Sequence, residues 1–160
     1  AGVFESGYNQ EIVGLRYFNV FGPRQDPKGP YAAVIPQWMI GLLRDKPTYI
    51  YGDGKTSRDF CFVENVVQAN LLATFAKPAS GRVYNIAVGT RATLNSLHRS
   101  LQSLTGNSRL PEYRPFREGD VRHSLADISA AKSDLGYWPT HTMKEGLGLT
   151  VDWYKKNKKK

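Results

Sequence analysis

The stretch "YIYGDGKTSRDFCFVENV", residues 49–66, decides the fold, because it permits two incompatible structures. Tyr51 and Lys55 are four apart, and on a helix that spacing puts a phenol and an ammonium on one face. The ammonium would then lower the phenol pKa and make Tyr51 a general base. The residues between them, however, are Gly52, Asp53 and Gly54. Each interior Gly costs a helix about 1 kcal/mol relative to Ala, and Gly-Asp-Gly is turn chemistry. Thr48, Tyr49, Ile50 and Tyr51 form a β-prone run, so the sequence predicts a strand at 48–51 and a loop leaving its end. The same Tyr–Lys spacing at Tyr154 and Lys158 falls on a charged tail and is worse placed. Beyond the loop, "VENVVQANLLATFAKP" (63–78) reads as an amphipathic helix stopped by Pro78.

Working outward, strands and helices keep alternating. Upstream, "AGVFESGYNQEIVGLRYFNVFG" starts without Met and inside what reads as the last turns of a helix, which Gly7 and Asn9 would end before a strand at 12–18. A chain that begins in mid-helix is expected to be a fragment. "GPRQDPKGPYA" is a Gly- and Pro-rich loop, and 32–45 is a helix in which Pro36 is tolerable only near the first turn. Downstream, 82–89 alternates into a strand. Thr93 caps a helix whose Leu94, Leu97, Leu101 and Leu104 share one face and belong to the core. Residues 116–127, "FREGDVRHSLAD", are irregular and charged. Asp127 caps a short helix ending at Gly136, and Thr142 with Glu145 forms a capping box for a last helix carrying Leu147, Val151 and Trp153. The fold class is α/β, without internal repeats.

Composition narrows the function. The 160 residues suit one domain, and 41% hydrophobic with 22% charged residues is ordinary for a globular chain. The net charge of +8 is concentrated in "KKNKKK" at 155–160, which holds five of the positive charges. A Lys-rich end is usually solvated, and no basic helix or aromatic RNA-binding motif accompanies it, so no nucleic-acid partner is expected. Cys61, the single cysteine, has apolar neighbours and is expected to be a buried, inert thiol. His98, His123 and His141 lack metal-ligand spacing. No signal peptide opens the chain and no apolar run approaches 18 residues, so a cytoplasmic protein without membrane contact is expected. Gly-x-Gly-x-x-Gly turns and Walker, zinc and Gly-x-Ser-x-Gly signatures are all absent.

Four stretches carry a resemblance: "LRYFNVFGPRQ" (15–25), "AAVIPQW" (32–38), the stretch 49–66 and "FREGDVRHSLAD" (116–127). In order and spacing they resemble the C-terminal half of extended short-chain dehydrogenases of the NAD-dependent epimerase/dehydratase family. Within it they are closest to UDP-N-acetylglucosamine and UDP-glucose 4-epimerases. The resemblance covers nearly the whole chain. It implies a C-terminal part of a Rossmann-type fold, with the NAD-cradling N-terminal half, the catalytic Ser/Thr and the true Tyr-x-x-x-Lys helix lying elsewhere. Residues 1–30 would be the tail of the catalytic helix with a late Rossmann strand and its loop, 31–154 the substrate-binding region, and 155–160 the Lys-rich tail. The implied cofactor of the parent enzyme is NAD and the implied partner a UDP-sugar. The chain alone is expected to lack turnover and to associate with itself or as a homo-oligomer. Other functions compatible with these motifs are a nucleotide-sugar dehydratase or decarboxylase, and a non-enzymatic UDP-sugar-binding remnant.

Residue by residue, the resemblance puts Tyr17 and Phe18 at the nicotinamide end of NAD and Asn19 on the sugar-nucleotide diphosphate. Ala33, Val34 and Trp38 begin a substrate-covering helix, and Tyr49, Ile50 and Tyr51 frame the uracil through backbone groups and a flat aromatic face. Arg58 and Arg117 grip the diphosphate, Asp120 holds a ribose hydroxyl, and Ser124 controls room beside the hexose. Independently of the family, a diphosphate is best met by planar, permanently charged forks, which Arg supplies and Lys does not. Gly52 and Gly54 would let backbone approach a ligand without Cβ clashes. Pattern alone also offers plainer roles: a surface pair of Arg58 with Asp59, strand aromatics at 49 and 51, and a core Trp38.

Overall fold

The quoted stretch contains no helix at Tyr51. In the computed structural model, which describes residues 7–8, 11–28, 33–76 and 80–157, Tyr49–Tyr51 is a strand and the next residues are a turn. Gly52 and Gly54 take the left-handed conformation (φ +84° and +71°), and the Lys55 N–H donates to Asp53 Oδ1 at 2.9 Å. Lys55 and Tyr51 therefore share no helical face.

Eight strands occur among the described residues: β1 (Gly14–Tyr17), β2 (Val20–Phe21), β3 (Tyr49–Tyr51), β4 (Ser57–Arg58), β5 (Cys61–Phe62), β6 (Val83–Ile86), β7 (Ala92–Thr93) and β8 (Glu112–Arg114). They pair two by two. Three pairs are parallel, β1 with β6, β2 with β5 and β3 with β8, while β4 and β7 run antiparallel. Gly14 faces Val83 and Tyr49 faces Glu112, so the registers join parts of the chain far apart in sequence. Parallel pairing requires a long crossover, and the helix between β5 and β6 belongs to the one joining β1 to β6. The expected strand at 12–18 is shorter, and those at 48–51 and 82–89 are trimmed at their ends.

Among the described residues, five helices beside the helical Gly7 and Tyr8 follow the sequence pattern: α1 (Val34–Leu43), α2 (Val63–Phe75), α3 (Leu94–Thr105), α4 (Ser129–Leu135) and α5 (Met143–Lys156). Pro36 lies in the first turn of α1, where its missing N–H costs nothing. The Thr93 side chain accepts the Ser96 N–H at 3.1 Å, and Gly106 ends α3 in the left-handed conformation. Asp127 stands one residue before the cap of α4, at Ile128, yet its carboxylate accepts the Ser129 N–H at 2.8 Å. The Thr142–Glu145 capping box is complete. Gly7 and Tyr8 are both helical, so Gly7 does not end that helix. The expectations for residues 1–6, Asn9, Ala32, Pro78 and Lys158 to Lys160 lie outside the described residues.

The helices and strands enclose two apolar clusters. One joins Phe21, Trp38, Met39, Leu42, Ile50 and Phe62 to Leu97 and Leu101 of α3 and Leu147 and Val151 of α5. Leu94 and Leu104 pack against its edge, completing the leucine face. The other gathers Cys61, Tyr84, Ile86, Ala131, Leu135 and Tyr137 around β6. Burial pushes the Cys61 thiol up to about 11, which fits an inert core cysteine. Asn65, fully buried, ties the first turn of α2 to the segment leading into α5: its Oδ1 accepts the Thr140 and His141 N–H groups at 2.9 and 3.0 Å, and its Nδ2 donates to His141 O at 2.8 Å. No described helix is long and apolar enough to cross a membrane.

Candidate functional site

The turn after β3 is shaped from behind by α3. Two N–H groups of the first turn of α3 point at the loop: Asn95 N donates to Gly54 O (3.0 Å) and Leu94 N to Thr56 O (2.9 Å). The Asn95 side chain donates to Asp53 O and accepts the Tyr113 hydroxyl. A Cβ on Gly54 would meet Asn95 Oδ1 at 1.9 Å, and one on Gly52 would meet Phe116 at 2.8 Å. Both glycines are thus required by close packing inside the protein, not by the approach of a ligand.

This fixed loop delivers β4 to one wall of a cleft of about 300 Å³. Asn19, just before β2, and Ala33, Val34 and Trp38, from the N-terminal half of α1, line it; Tyr49 and Tyr51 line it from β3; Arg58, Arg117 and Asp120 join them. The chain brings these nine candidates together from four separate segments. Ile50 is fully buried in the first cluster, as the alternation of β3 requires, and Ser124 lies beside β4, its N–H donating to Ser57 O at 3.0 Å; neither side chain lines the cleft. Tyr17 and Phe18 stand apart at the end of β1. Tyr17 is half exposed with its hydroxyl donating to Asn70 Oδ1, and Phe18 packs against the second cluster.

The two arginines are held differently. Arg58 Nη1 donates to Ser57 O (3.0 Å) and Arg122 O (3.4 Å), and no described carboxylate lies within 4.0 Å of it. The plain pairing with Asp59 does not form. Asp59 turns inward, fully buried, and accepts the Val88 and Gly89 N–H groups at 3.0 and 2.9 Å; burial raises its carboxyl above the ordinary range while those N–H groups pull it back. Asn19 takes a left-handed conformation (φ 39°) and donates its Nδ2 to Asp59 O at 3.0 Å. The Arg117 guanidinium lies 3.6 Å from the centroid of the Tyr51 ring, and Arg114 lies 3.4 Å from that of Tyr49. Hydrogen bonding from Arg117, then from Arg114, holds the Tyr51 phenol below its ordinary range. One face of each ring therefore carries a guanidinium.

Trp38 has both of its expected characters. It is 3% exposed and part of the first cluster, yet it borders the cleft and donates its indole N–H to Tyr49 O at 3.1 Å. Behind it stands buried His98, edge-on to the indole, its Nε2 2.8 Å from Thr48 Oγ1; burial lowers its pKa. Sequence reasoning missed the apolar part of the lining, Val20, Phe21, Ile35, Phe60 and Leu94, and the stacked Arg114. The spacing of Arg114 and Arg117 in "EYRPFREGD" was the available signal for the latter. Among the described residues Asp120 is the one carboxylate in the lining, against two arginines, so the cleft favours an anion. No group of three or more described His, Cys, Asp or Glu residues could hold a metal.

The chain is similar to several known proteins. A family model described as NAD dependent epimerase/dehydratase matches residues 3–87. A UDP-glucose 4-epimerase from Mycolicibacterium smegmatis is 36% identical over 154 residues, covering 96% of this chain and 48% of the relative. Among solved structures, a UDP-glucose 4-epimerase with UDP-glucose from Thermotoga maritima superposes with a TM-score of 0.93 at 40% identity, over 99% of this chain and 50% of that one. A UDP-N-acetylglucosamine 4-epimerase from Methanobrevibacter ruminantium M1, in complex with UDP-N-acetylmuramic acid, gives 0.91 at 38% identity, over 98% and 50%. The chain spans about half the length of these relatives.

Proposed function

Because this chain belongs to the NAD-dependent epimerase/dehydratase family, with the Rossmann-type α/β fold of its epimerases, we propose that it forms the UDP-sugar-binding portion of an NAD-dependent UDP-hexose 4-epimerase. One observation carries the proposal: Arg58 and Arg117, from distant parts of the chain, enter one cleft beside two tyrosines and a single carboxylate. A nucleotide diphosphate has that charge pattern, with anionic oxygens for the guanidinium forks and ribose hydroxyls for Asp120. Residues 31–154 would hold the substrate, with Tyr49, Ile50 and Tyr51 framing the base and Asn19 reaching the diphosphate. Residues 155–160 would remain a solvated tail.

NAD, when bound, takes a hydride from a sugar carbon and returns it. Tyr17, half exposed at the end of β1, fits the nicotinamide edge, whereas the Phe18 side chain is committed to the second cluster. No Gly-x-Gly-x-x-Gly or Gly-x-x-Gly-x-x-Gly turn follows a described strand, so the residues present offer no cradle for the cofactor's pyrophosphate. The role proposed for this chain is accordingly to bind and orient the nucleotide sugar. It keeps the diphosphate fixed while leaving the hydride and proton steps to groups it does not supply.

The test is calorimetric titration of UDP into the chain and its variants. Arg58→Ala and Arg117→Ala should each weaken binding about tenfold to a hundredfold, and UDP binding indifferent to both would overturn the proposal. Turnover of UDP-N-acetylglucosamine with added NAD, abolished by a substitution in this chain, would refute the purely binding role.

A further inference from the structure

A second cavity, of about 690 Å³, lies between loop 24–28, α1 and the end of α5, and shares only Gln37 with the cleft. Its volume is that of a small-molecule site. Arg24, Lys28, Arg44 and Lys46 surround it, and none of the four has a described carboxylate within 4.0 Å. Asp45, the nearest acid in sequence to two of them, pairs with Arg109 instead, at 3.6 Å. Among the described residues Asp26 is the one carboxylate in the lining, and it accepts the Lys28 N–H at 2.8 Å. Between the cations, Ile40 and Leu43 of α1 and Trp153 of α5 give an apolar floor.

The floor is held in place. Trp153 stands edge-on to Tyr154, with centroids 5.0 Å apart, and the Tyr154 hydroxyl donates to Gln25 O, tying the loop to α5. The Gln25 amide donates to Val20 O, while its Oε1 is buried without a hydrogen-bond partner among the described residues. Lys158, Lys159 and Lys160 are poor occupants, being of the same sign as the rim.

We infer that this groove binds a nucleoside polyphosphate, its ring against Trp153 and its phosphates among Arg24, Lys28, Arg44 and Lys46. The site is separate from the UDP-sugar proposal and does not depend on it. ATP is the probe, titrated calorimetrically into the whole chain at low salt. The double substitution Arg24→Ala/Arg44→Ala should weaken ATP binding at least tenfold and spare UDP, whereas Arg58→Ala/Arg117→Ala should do the reverse. Trp153 fluorescence should be quenched by ATP, and the ATP-dependent change should vanish in Trp153→Phe. Tripolyphosphate should bind at least tenfold more weakly than ATP. ATP binding that ignores the groove substitutions, or that disappears with Arg58 and Arg117, overturns the inference. Equal affinity for tripolyphosphate and ATP overturns the place given to the ring. Should the double variant melt at a lower temperature than the unmodified chain, the single exposed change Lys46→Glu replaces it without touching the floor. ATP affinity should then fall severalfold, and an unchanged affinity overturns the inference.

Discussion

The cleft takes one arginine from each of two regions that are built in opposite ways. Residues 49–62 are woven into the protein: they contribute three strands, and Ile50, Gly54, Thr56, Ser57 and everything from Asp59 to Phe62 are buried. Residues 112–123 are exposed throughout, and beyond β8 they touch the fold mainly through Phe116 over Gly52, Arg117 on Tyr51 and the run 122–124 along β4. Arg58 is consequently pinned by two backbone carbonyls, whereas Arg117 rests on the face of a tyrosine. A site assembled this way has one preset donor and one that can adjust. In the proposed role the fixed arginine would define where the diphosphate sits, and the stacked one would leave its ring to close on it.

The sharpest way to break this contrast is to add the same methyl group to each region. Gly54→Ala combines a positive φ with a Cβ only 1.9 Å from Asn95 Oδ1, and should cost roughly 2–4 kcal/mol in urea-unfolding experiments. Gly119→Ala also has a positive φ but meets open space, and should cost about 1 kcal/mol. Equal costs would mean that the first region is not the rigid one.

Next in size is ligand binding. Loss of Arg58 or Arg117 removes charge-assisted hydrogen bonds worth roughly 1.5–3 kcal/mol each, or tenfold to a hundredfold in UDP affinity. If the contrast holds, Arg58→Lys should remain almost as damaging as Arg58→Ala, because a point charge cannot keep the two carbonyl contacts and a ligand fork together. Arg117→Lys should recover part of its affinity. The reverse order in calorimetry would exchange the roles of the two regions.

A smaller, spectroscopic effect sharpens the second region further. Arg117 and Arg114 favour the Tyr51 phenolate, so that ring should ionise at lower pH than an ordinary tyrosine. Removing the Arg117 charge should move the phenolate absorbance transition to higher pH; no movement would dispute the stacking. Smallest of all, Lys55→Ala should change UDP affinity and stability by less than about 0.5 kcal/mol, as expected of an exposed loop residue. If it proved as damaging as Arg58→Ala, the turn after β3 would need a different account.

How much of this was legible depended on whether the cause was local. The Thr142–Glu145 box, the Thr93 cap and the leucine face of α3 follow from residues three and four apart, and they stand as the sequence predicts. The Gly-Asp-Gly turn was equally plain, although the space that Gly52 and Gly54 vacate is filled by Phe116 and Asn95 and not by a ligand. Four strands of two residues each, β2, β4, β5 and β7, left no periodic trace, since two residues cannot alternate and their pairing is decided by tertiary contacts. Asp59 was equally unreadable: beside Arg58 it suggests a surface pair, and only the arrival of Val88 and Gly89 makes it a buried acceptor. The motifs of the wider family located Arg58, Arg117 and Asp120, which no local pattern would have gathered. They gave no warning that Tyr49 and Tyr51 each carry a guanidinium on one face.

The pairing of the strands also sets a timetable. β1 waits for β6, β4 for β7 and β3 for β8, so three of the four pairs join segments on opposite sides of residues 77–79; only β2 with β5 closes earlier. Loop-closure entropy must be met before such distant partners reward it, and chains of this kind fold slowly. During synthesis, β3 leaves the ribosome long before β8 exists. The tyrosines that will wall the cleft must then remain unpaired, beside an apolar Ile50 whose later cluster partners, Leu97, Leu101, Leu147 and Val151, do not yet exist. The interval of greatest exposure to chaperones and to misassembly is thus written into the order of the strands.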